Sequence, residues 1–275
     1  MCYNNPMQST NDKKAIFFDI DGTLWRRGTP VPQSTVRAIE QLKQNGHYVF
    51  INTGRSKAHV IDKQLLDIGW DGMVSACGTL VEFGDRVIYR SLIPGEEWRR
   101  IIKTCKHYGV RMIIEGEEFL YFDDEDYVGD PYGQTLIHEL GLKRRRLLDE
   151  KSGWKAGKFA VDLNPTEDSS GWFEELGDRY RFIKHAEHVY EVVPHGCDKA
   201  DGMRMMAEYL GIPTENVVAF GDGLNDMDML KASGMGVAMG NARQELKDIA
   251  DYVTTAVEKD GIYNALMQLG LIAAQ

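Results

Sequence analysis

Cysteine is scarce in this chain. Four occur in 275 residues, at Cys2, Cys77, Cys105 and Cys197. No two stand at a metal-ligand spacing and they form no disulfide framework, which points to free thiols in a reducing compartment. Basic charge is also in deficit: 32 Lys and Arg face 42 Asp and Glu, a net charge of -10. That balance argues against a general nucleic-acid binder, because a phosphate backbone rewards an excess of Lys and Arg. It leaves room for a small anionic substrate held by a local pocket. No apolar run approaches the roughly 20 residues of a membrane span. The first dozen residues, MCYNNPMQSTND, lack the apolar centre of a signal peptide. A soluble, cytoplasmic protein with no nucleic-acid or membrane partner is the expectation; nothing in the sequence speaks to oligomeric state. There is no internal repeat and no low-complexity segment.

What the chain does contain is enough apolar material, 43% of residues, to bury a core in two modest domains. KAIFFD, ending at Asp19, is a short uninterrupted apolar run, the mark of a parallel strand covered on both faces. A helical pattern follows, with Val36, Ile39 and Leu42 one turn apart and a stop at Asn45-Gly46. HYVFIN, residues 47–52, reads as a second strand, 57–68 as a helix, and 73–76 as a third strand. The rhythm returns late. It predicts a helix over 198–210, a strand at NVVAF (216–220), a helix over 226–232, a strand over 236–239 and a helix over 243–250. Strands alternating with crossover helices predict an α/β fold with a parallel sheet. Met203, Met205 and Met206 read as core filler. Residues 81–190 have a different texture, with amphipathic strands at 110–114 and 159–163 and helices at 96–108 and 134–140. That stretch reads as an inserted α+β unit joined by linkers near 79–85 and 189–195. The only basic run, KRRR at 143–146, and the acidic DDED at 123–126 read as solvated surface.

Four stretches carry chemistry. Asp19-Ile20-Asp21-Gly22-Thr23 lies where the first buried strand must end, and open α/β sheets bind ligands beyond the carboxyl ends of their strands. Gly22 allows the tight turn that lets two carboxylates converge. Gly221-Asp222-Gly223-Leu224-Asn225-Asp226 follows NVVAF in the same way. Its spacing lacks the alternating ligands and bidentate Glu of an EF-hand, and a few hard oxygen ligands suit Mg2+. Asn52-Thr53-Gly54-Arg55 places a hydroxyl and free N–H groups near a helix start, which reads either as an anion site or as a plain helix cap. Lys199 begins the helix after Gly196-Cys197-Asp198.

Together, in this order, the four resemble the haloacid-dehalogenase-like (HAD) phosphatase superfamily, and within it the Cof-type, class IIB branch. GVAMGNA at 236–242, followed by DYVTT and DGI, resembles that branch too. The resemblance covers the chain past residue 13. It implies a Rossmann-like core of residues 1–82 and 191–275 with an inserted α/β cap at 83–190 that reads the leaving group. It implies that Asp19 attacks phosphorus to form an aspartyl-phosphate. Asp21 would then be the acid that protonates the leaving alcohol and the base that activates water. Mg2+ would be held by Asp19, the Asp21 carbonyl and Asp222, with Asp226 behind them. Lys199, Thr53, Gly54 and Asn225 would bind phosphoryl oxygens, and the substrate would be a small phosphorylated metabolite, a sugar phosphate or a phosphorylated cofactor. His185, Glu187, His188 and KRRR are cap candidates on polarity alone, and Arg55 stands where the branch often has an arginine. Two departures stand out: Cys77-Gly78-Thr79 replaces the branch's Asn-Gly-Ala, and Lys199-Ala200 its Lys-Gly. Two rivals remain at this point, a phosphomutase of the same superfamily and a noncatalytic metabolite sensor on the same fold.

Overall fold

A computed structural model describes residues 13–147, 153–163 and 168–274. Cys2 and the polar first dozen residues lie outside them. The strands, in chain order, are β1 Ala15–Phe18, β2 Tyr48–Asn52, β3 Gly72–Ser75, β4 Leu80–Phe83, β5 Arg86–Arg90, β6 Arg111–Gly116 and β7 Leu120–Tyr121. They continue with β8 Arg144–Arg145, β9 Ala156–Asp162, β10 Tyr180–Lys184, β11 Val189–Pro194, β12 Val217–Gly221, β13 Met235–Ala238 and β14 Tyr252–Val253.

They form two sheets. The larger has the order β14-β13-β12-β1-β2-β3-β4-β5. From β14 to β3 every pairing is parallel, and β3–β4 and β4–β5 are antiparallel. β1 is buried at every residue because it lies between β12 and β2. Its phenylalanines stack on neighbouring strands, Phe17 on Phe50 at 4.8 Å and Phe18 on Phe220 at 4.9 Å between ring centroids. The helix Gln33–Gln44 covers one part of the core with Ala38, Ile39 and Leu42, and Lys199–Leu210 buries Met203 and Met206. The methionines are core filler, as their helical spacing indicates.

The chain runs outward from β1 through β2 and β3, then returns to build β12, β13 and β14 on β1's other side. The order therefore reverses between β1 and β12, and their carboxyl ends open the crevice where such sheets bind ligands. In register, Phe18 lies beside Phe220, and Asp19 N donates to Phe220 O at 3.0 Å.

The smaller sheet, of order β10-β11-β9-β6-β7-β8, is antiparallel apart from β7–β8. The helices Gly95–His107 and Ser170–Gly177 pack on it through Trp98, Ile101, Trp172 and Leu176, closing a second apolar cluster around Phe159. Ala58, from the larger unit, sits in a third cluster with Ile113, Leu120, Phe122, Tyr127 and Leu136. This is the α/β architecture expected, a Rossmann-like core with an inserted cap.

Local departures have local causes. The single helix expected over 57–68 is a 3-10 turn, Lys57–His59, and a separate helix, Lys63–Leu66. Val60 leaves helical geometry at φ -88, ψ 80, and the Asp62 side chain accepts from Gln64 N to start the second helix afresh. The helix expected over 243–250 narrows to Gln244–Lys247. The stretch near 79–85, expected as a linker, enters a hairpin: β4 and β5 extend the larger sheet to Arg90, and β11 keeps the smaller sheet running to Pro194. Amphipathic edge strands have the same texture whichever sheet they join, so the crossings between sheets fall a few residues later than composition indicates.

Candidate active site

The site grows from two strand ends. After β1 the chain turns sharply, with Gly22 N donating to Trp25 O at 2.7 Å. Gly22 has φ +92, and a Cβ there would fall 2.1 Å from Asp222 Oδ2. Only glycine lets the first loop approach Asp222 this closely. Asn241, from the loop after β13, donates to Gly22 O at 2.8 Å and lies 3.4 Å from Asp222 Oδ2, and its own Oδ1 accepts from Val257 N. It ties the two motif loops together.

Lys199 stands at the first position of its helix, with Asp198 capping it by accepting from Asp201 N. Its buried ammonium donates to Asp19 Oδ1 and to Asp226 Oδ1, both at 2.6 Å. Asn52 Nδ2 donates to Lys199 O at 2.9 Å and fixes this helix start from β2. Asp226 is fully buried. Its second oxygen accepts from Asp222 N at 3.0 Å and Gly223 N at 2.9 Å. Both Asp226 oxygens are thus committed to holding Lys199 and the loop that carries Asp222.

Asp19, Asp222 and Asp226 offer oxygens that all lie within 4.8 Å of one another. One ammonium does not balance three carboxylates. Burial, and then the charge of Asp226, push Asp222 up to about 7 against the pull of Lys199. Burial raises Asp19 well above the ordinary carboxyl value, and Lys199 opposes that shift. Lys199 is raised well above its own ordinary value: burial opposes this, and the charges of Asp19 and Asp226 overcome it. A compact, oxygen-only, charge-deficient group of this kind fits a hard divalent cation, which would relieve the repulsion. Since Asp226 is committed, Asp19 and Asp222 are the carboxylates left to face an ion, with Asp226 orienting from behind.

Asp21 behaves differently. Burial would raise its carboxyl, but two hydrogen bonds from Arg55 and its charge bring it below the ordinary value, with Trp25 adding to the effect. Arg55 Nε and Nη2 reach Asp21 Oδ2 and Oδ1 at 2.6 Å each. Thr53 is buried, and its hydroxyl accepts from Arg55 N at 3.1 Å.

Asp19, Asp21, Thr53, Gly54, Asp222 and Asn225 all line one cavity of about 550 Å³, closed on its far side by the cap. Lys199 and Asp226 stand directly behind Asp19. Every residue singled out in the four motifs therefore meets at one place. The cap candidates divide. His185 lines the cavity, whereas Glu187 and His188 pair with each other on the surface at 4.0 Å. The basic run meets the acidic one: Arg144 bonds Asp124, Arg146 bonds Glu125 at 2.8 Å, and Arg145 lies 3.9 Å from the Phe119 ring centroid. Cys77, the departure after β3, donates its thiol to Glu191 at 2.7 Å in the cavity wall.

Fold and site together define a phosphatase of the HAD type, an enzyme. The chain belongs to the haloacid dehalogenase-like hydrolase family, whose model matches residues 16–266, and within it to the Cof-type, subclass IIB branch. It is 33% identical to YkrA of Bacillus subtilis strain 168 over 95% of this chain and 99% of that protein. It is 27% identical to the 5-amino-6-(5-phospho-D-ribitylamino)uracil phosphatase YitU of the same organism, covering 92% and 96%. Among solved structures it matches the HAD subclass IIB sugar phosphatase BT4131 at TM-score 0.79 and 28% identity, over 94% of this chain and all of that one. No described helix is long and apolar enough to cross a membrane.

Two parts of the site escaped the motifs. Asn241 lay inside a quoted stretch without a role; its position one strand over from Asp222 was the available signal. The cap-side group of Glu115, Lys158 and Glu191 had no signal, because its residues are far apart in the chain and belong to no motif.

Proposed function

We propose that this protein hydrolyses a small-metabolite phosphomonoester with the help of Mg2+, through an aspartyl-phosphate formed on Asp19. The observation that carries the reading is the buried Asp19–Lys199–Asp226 arrangement at the sheet's switch point, beside a cavity that also presents Thr53, Gly54 and Asn225.

In this reading the Asp19 carboxylate attacks phosphorus, the new Oδ–P bond forms and the bond to the leaving alcohol breaks. Splitting one displacement into two lowers each barrier. Thr53, the Gly54 N–H and Asn225 line the cavity to hold the equatorial oxygens, and Lys199 adds positive charge to them from behind Asp19. Asp19, the Asp21 carbonyl and Asp222 would hold the ion, which supplies charge neutralisation between an anionic nucleophile and an anionic phosphate. Asp21 gives a proton to the departing alkoxide, then takes one from the water that cleaves the aspartyl-phosphate. Arg55 sets a condition on that sequence. Its grip favours the anionic form of Asp21, which suits the second half; the first half requires the guanidinium to let go when substrate enters. The cap excludes other water and meets the leaving group.

The names of the relatives, a sugar phosphatase and a ribitylaminouracil phosphatase, support a sugar phosphate or a phosphorylated cofactor or precursor as the substrate class. A mutase would need an arginine-rich wall for a second phosphate, and the arginines of 144–146 are engaged at the surface. The test is phosphate release from a panel of small phosphomonoesters, with and without Mg2+, comparing wild type with Asp19→Asn. Release that requires both metal and Asp19 is expected. No release by a folded, Mg2+-binding protein would overturn the reading.

A further inference from the structure

The cavity wall contributed by the cap carries an unbalanced charge. Lys158, on β9, is buried and reaches across to the larger unit. Its ammonium donates to Gly54 O and to Glu115 Oε1, both at 2.8 Å, and lies 3.4 Å from Glu191 Oε1. Glu115 also accepts from Ser56 N at 3.3 Å. One ammonium is thus shared by two carboxylates beside the Thr53–Gly54 loop. Glu191 presses on that loop, since a Cβ on Gly54 would lie 2.4 Å from its Oε1. Burial favours its neutral form, but the charge of Lys158, followed by that of His185 and the Cys77 bond, holds its carboxyl down at about 2. It is an anion throughout the working pH range.

Of the rest of the wall, His185 also lines the cavity and lends its charge to Glu191, and the other groups leave an acidic surplus. Asp130 and Asp162 also line the cavity, and Arg111 bonds both. The core-side cations Arg27 and Arg55 are already bonded to Glu139 and Asp21. His59 lines the cavity as a neutral imidazole, brought to about 3 by burial and then by the charges of Arg55 and Arg27. Its Nε2 has no hydrogen-bond partner among the described residues.

We propose that Glu191, supported by Glu115 and Lys158, selects the leaving group by charge. The wall admits phosphomonoesters whose alcohol carries hydroxyls or an ammonium, and rejects those bearing a second phosphate or a carboxylate. The inference rests on the phosphatase reading above and extends it to the substrate's other end. A buried carboxylate close to an added anion in a medium of reduced dielectric costs that substrate at least about tenfold in kcat/KM, chiefly through KM.

The experiment compares matched pairs with the full chain and Mg2+: glucose 6-phosphate against 6-phosphogluconate, and fructose 6-phosphate against fructose 1,6-bisphosphate. In each pair the member whose leaving alcohol is uncharged is expected to be favoured at least about tenfold, with Glu191→Gln narrowing the ratio below about threefold. Equal turnover of both members by the wild type overturns the proposal. So does a Glu191→Gln variant that slows both equally, since that is what a purely structural role would do. If Glu191→Gln does not fold, Glu115→Gln carries the same comparison. If no ester is turned over, the phosphatase reading has failed, and calorimetric binding of the same pairs to the wild type decides the charge selection by itself.

Discussion

Gly22→Ala is the sharpest probe of how the two motif loops meet. Gly22 sits at φ +92, where an L side chain is strained, and its new Cβ would fall 2.1 Å from Asp222 Oδ2 and 2.4 Å from Cγ. Gly28 supplies the control. It has φ +84 in the same loop, and a Cβ there meets nothing within 4 Å. Both alanines carry the backbone penalty of about 1–2 kcal/mol for a left-handed residue. At about 2–4 °C per kcal/mol for a chain of this size, each is expected to lower Tm by about 2–8 °C. Only Gly22→Ala must also move the Asp222 carboxylate, because contact at 2.1 Å is impossible. A displacement of about 1 Å in a group that positions the reaction costs about 100-fold in rate. Metal affinity is expected to fall about 10-fold or more with it, as when an oriented ligand is lost. The assay is phosphate release across a Mg2+ titration, alongside a thermal scan. Gly22→Ala with the rate and Mg2+ dependence of Gly28→Ala would refute the argument that Asp222 faces the ion and that Gly22 makes room for it.

Two further outcomes follow from buried charge. Lys199→Met leaves Asp19 and Asp226 without their shared ammonium. Stability is expected to fall about 3–5 kcal/mol, with the rate down about 100-fold or more. Added Mg2+ should raise the Tm of Lys199→Met more than that of the wild type, and an equal rise would contradict the charge-deficit account. Glu191 governs acid stability. Its folded carboxyl lies at about 2 against an ordinary 4.5, so the pairing stabilises the fold above the ordinary value and is lost as pH falls toward 2. That difference is worth about 3 kcal/mol at most. Glu191→Gln should therefore unfold with a shallower pH dependence between 4.5 and 2, measured by denaturant midpoints at several pH values. An unchanged slope would remove Glu191 from the buried ion group.

The core half of the cavity was legible because its polar residues sit in short motifs at strand ends. Asp19 and Asp222 each follow a short apolar run that suits a buried strand, and β1 pairing with β12 brings the two ends together. Lys199 gained meaning only in that company, since a single lysine before a helix carries no signal. The Arg55–Asp21 pair was half legible: NTGR marked the arginine, but only the turn at Gly22 shows which carboxylate it meets. The cap wall was not legible. Glu115, Lys158 and Glu191 come from three strands of the smaller sheet, and antiparallel register sets their meeting, with Glu115 beside Lys158 across β6 and β9. The hairpin of β4 and β5 was hidden for a related reason, because an amphipathic edge strand does not announce which sheet it will join. The break at Val60–Asp62 came from a cap competing with a helical period that was otherwise sound.

The most direct test of the central claim is to trap the phosphoenzyme. The protein is mixed with Mg2+ and a phosphomonoester labelled in its phosphoryl group, quenched in acid within the first turnover, and digested. Label is expected on the peptide containing Asp19, released by hydroxylamine as an acyl phosphate should be, and none on Asp19→Asn. Phosphate release by the wild type with no labelled protein at any time, or label retained in Asp19→Asn, would contradict that claim.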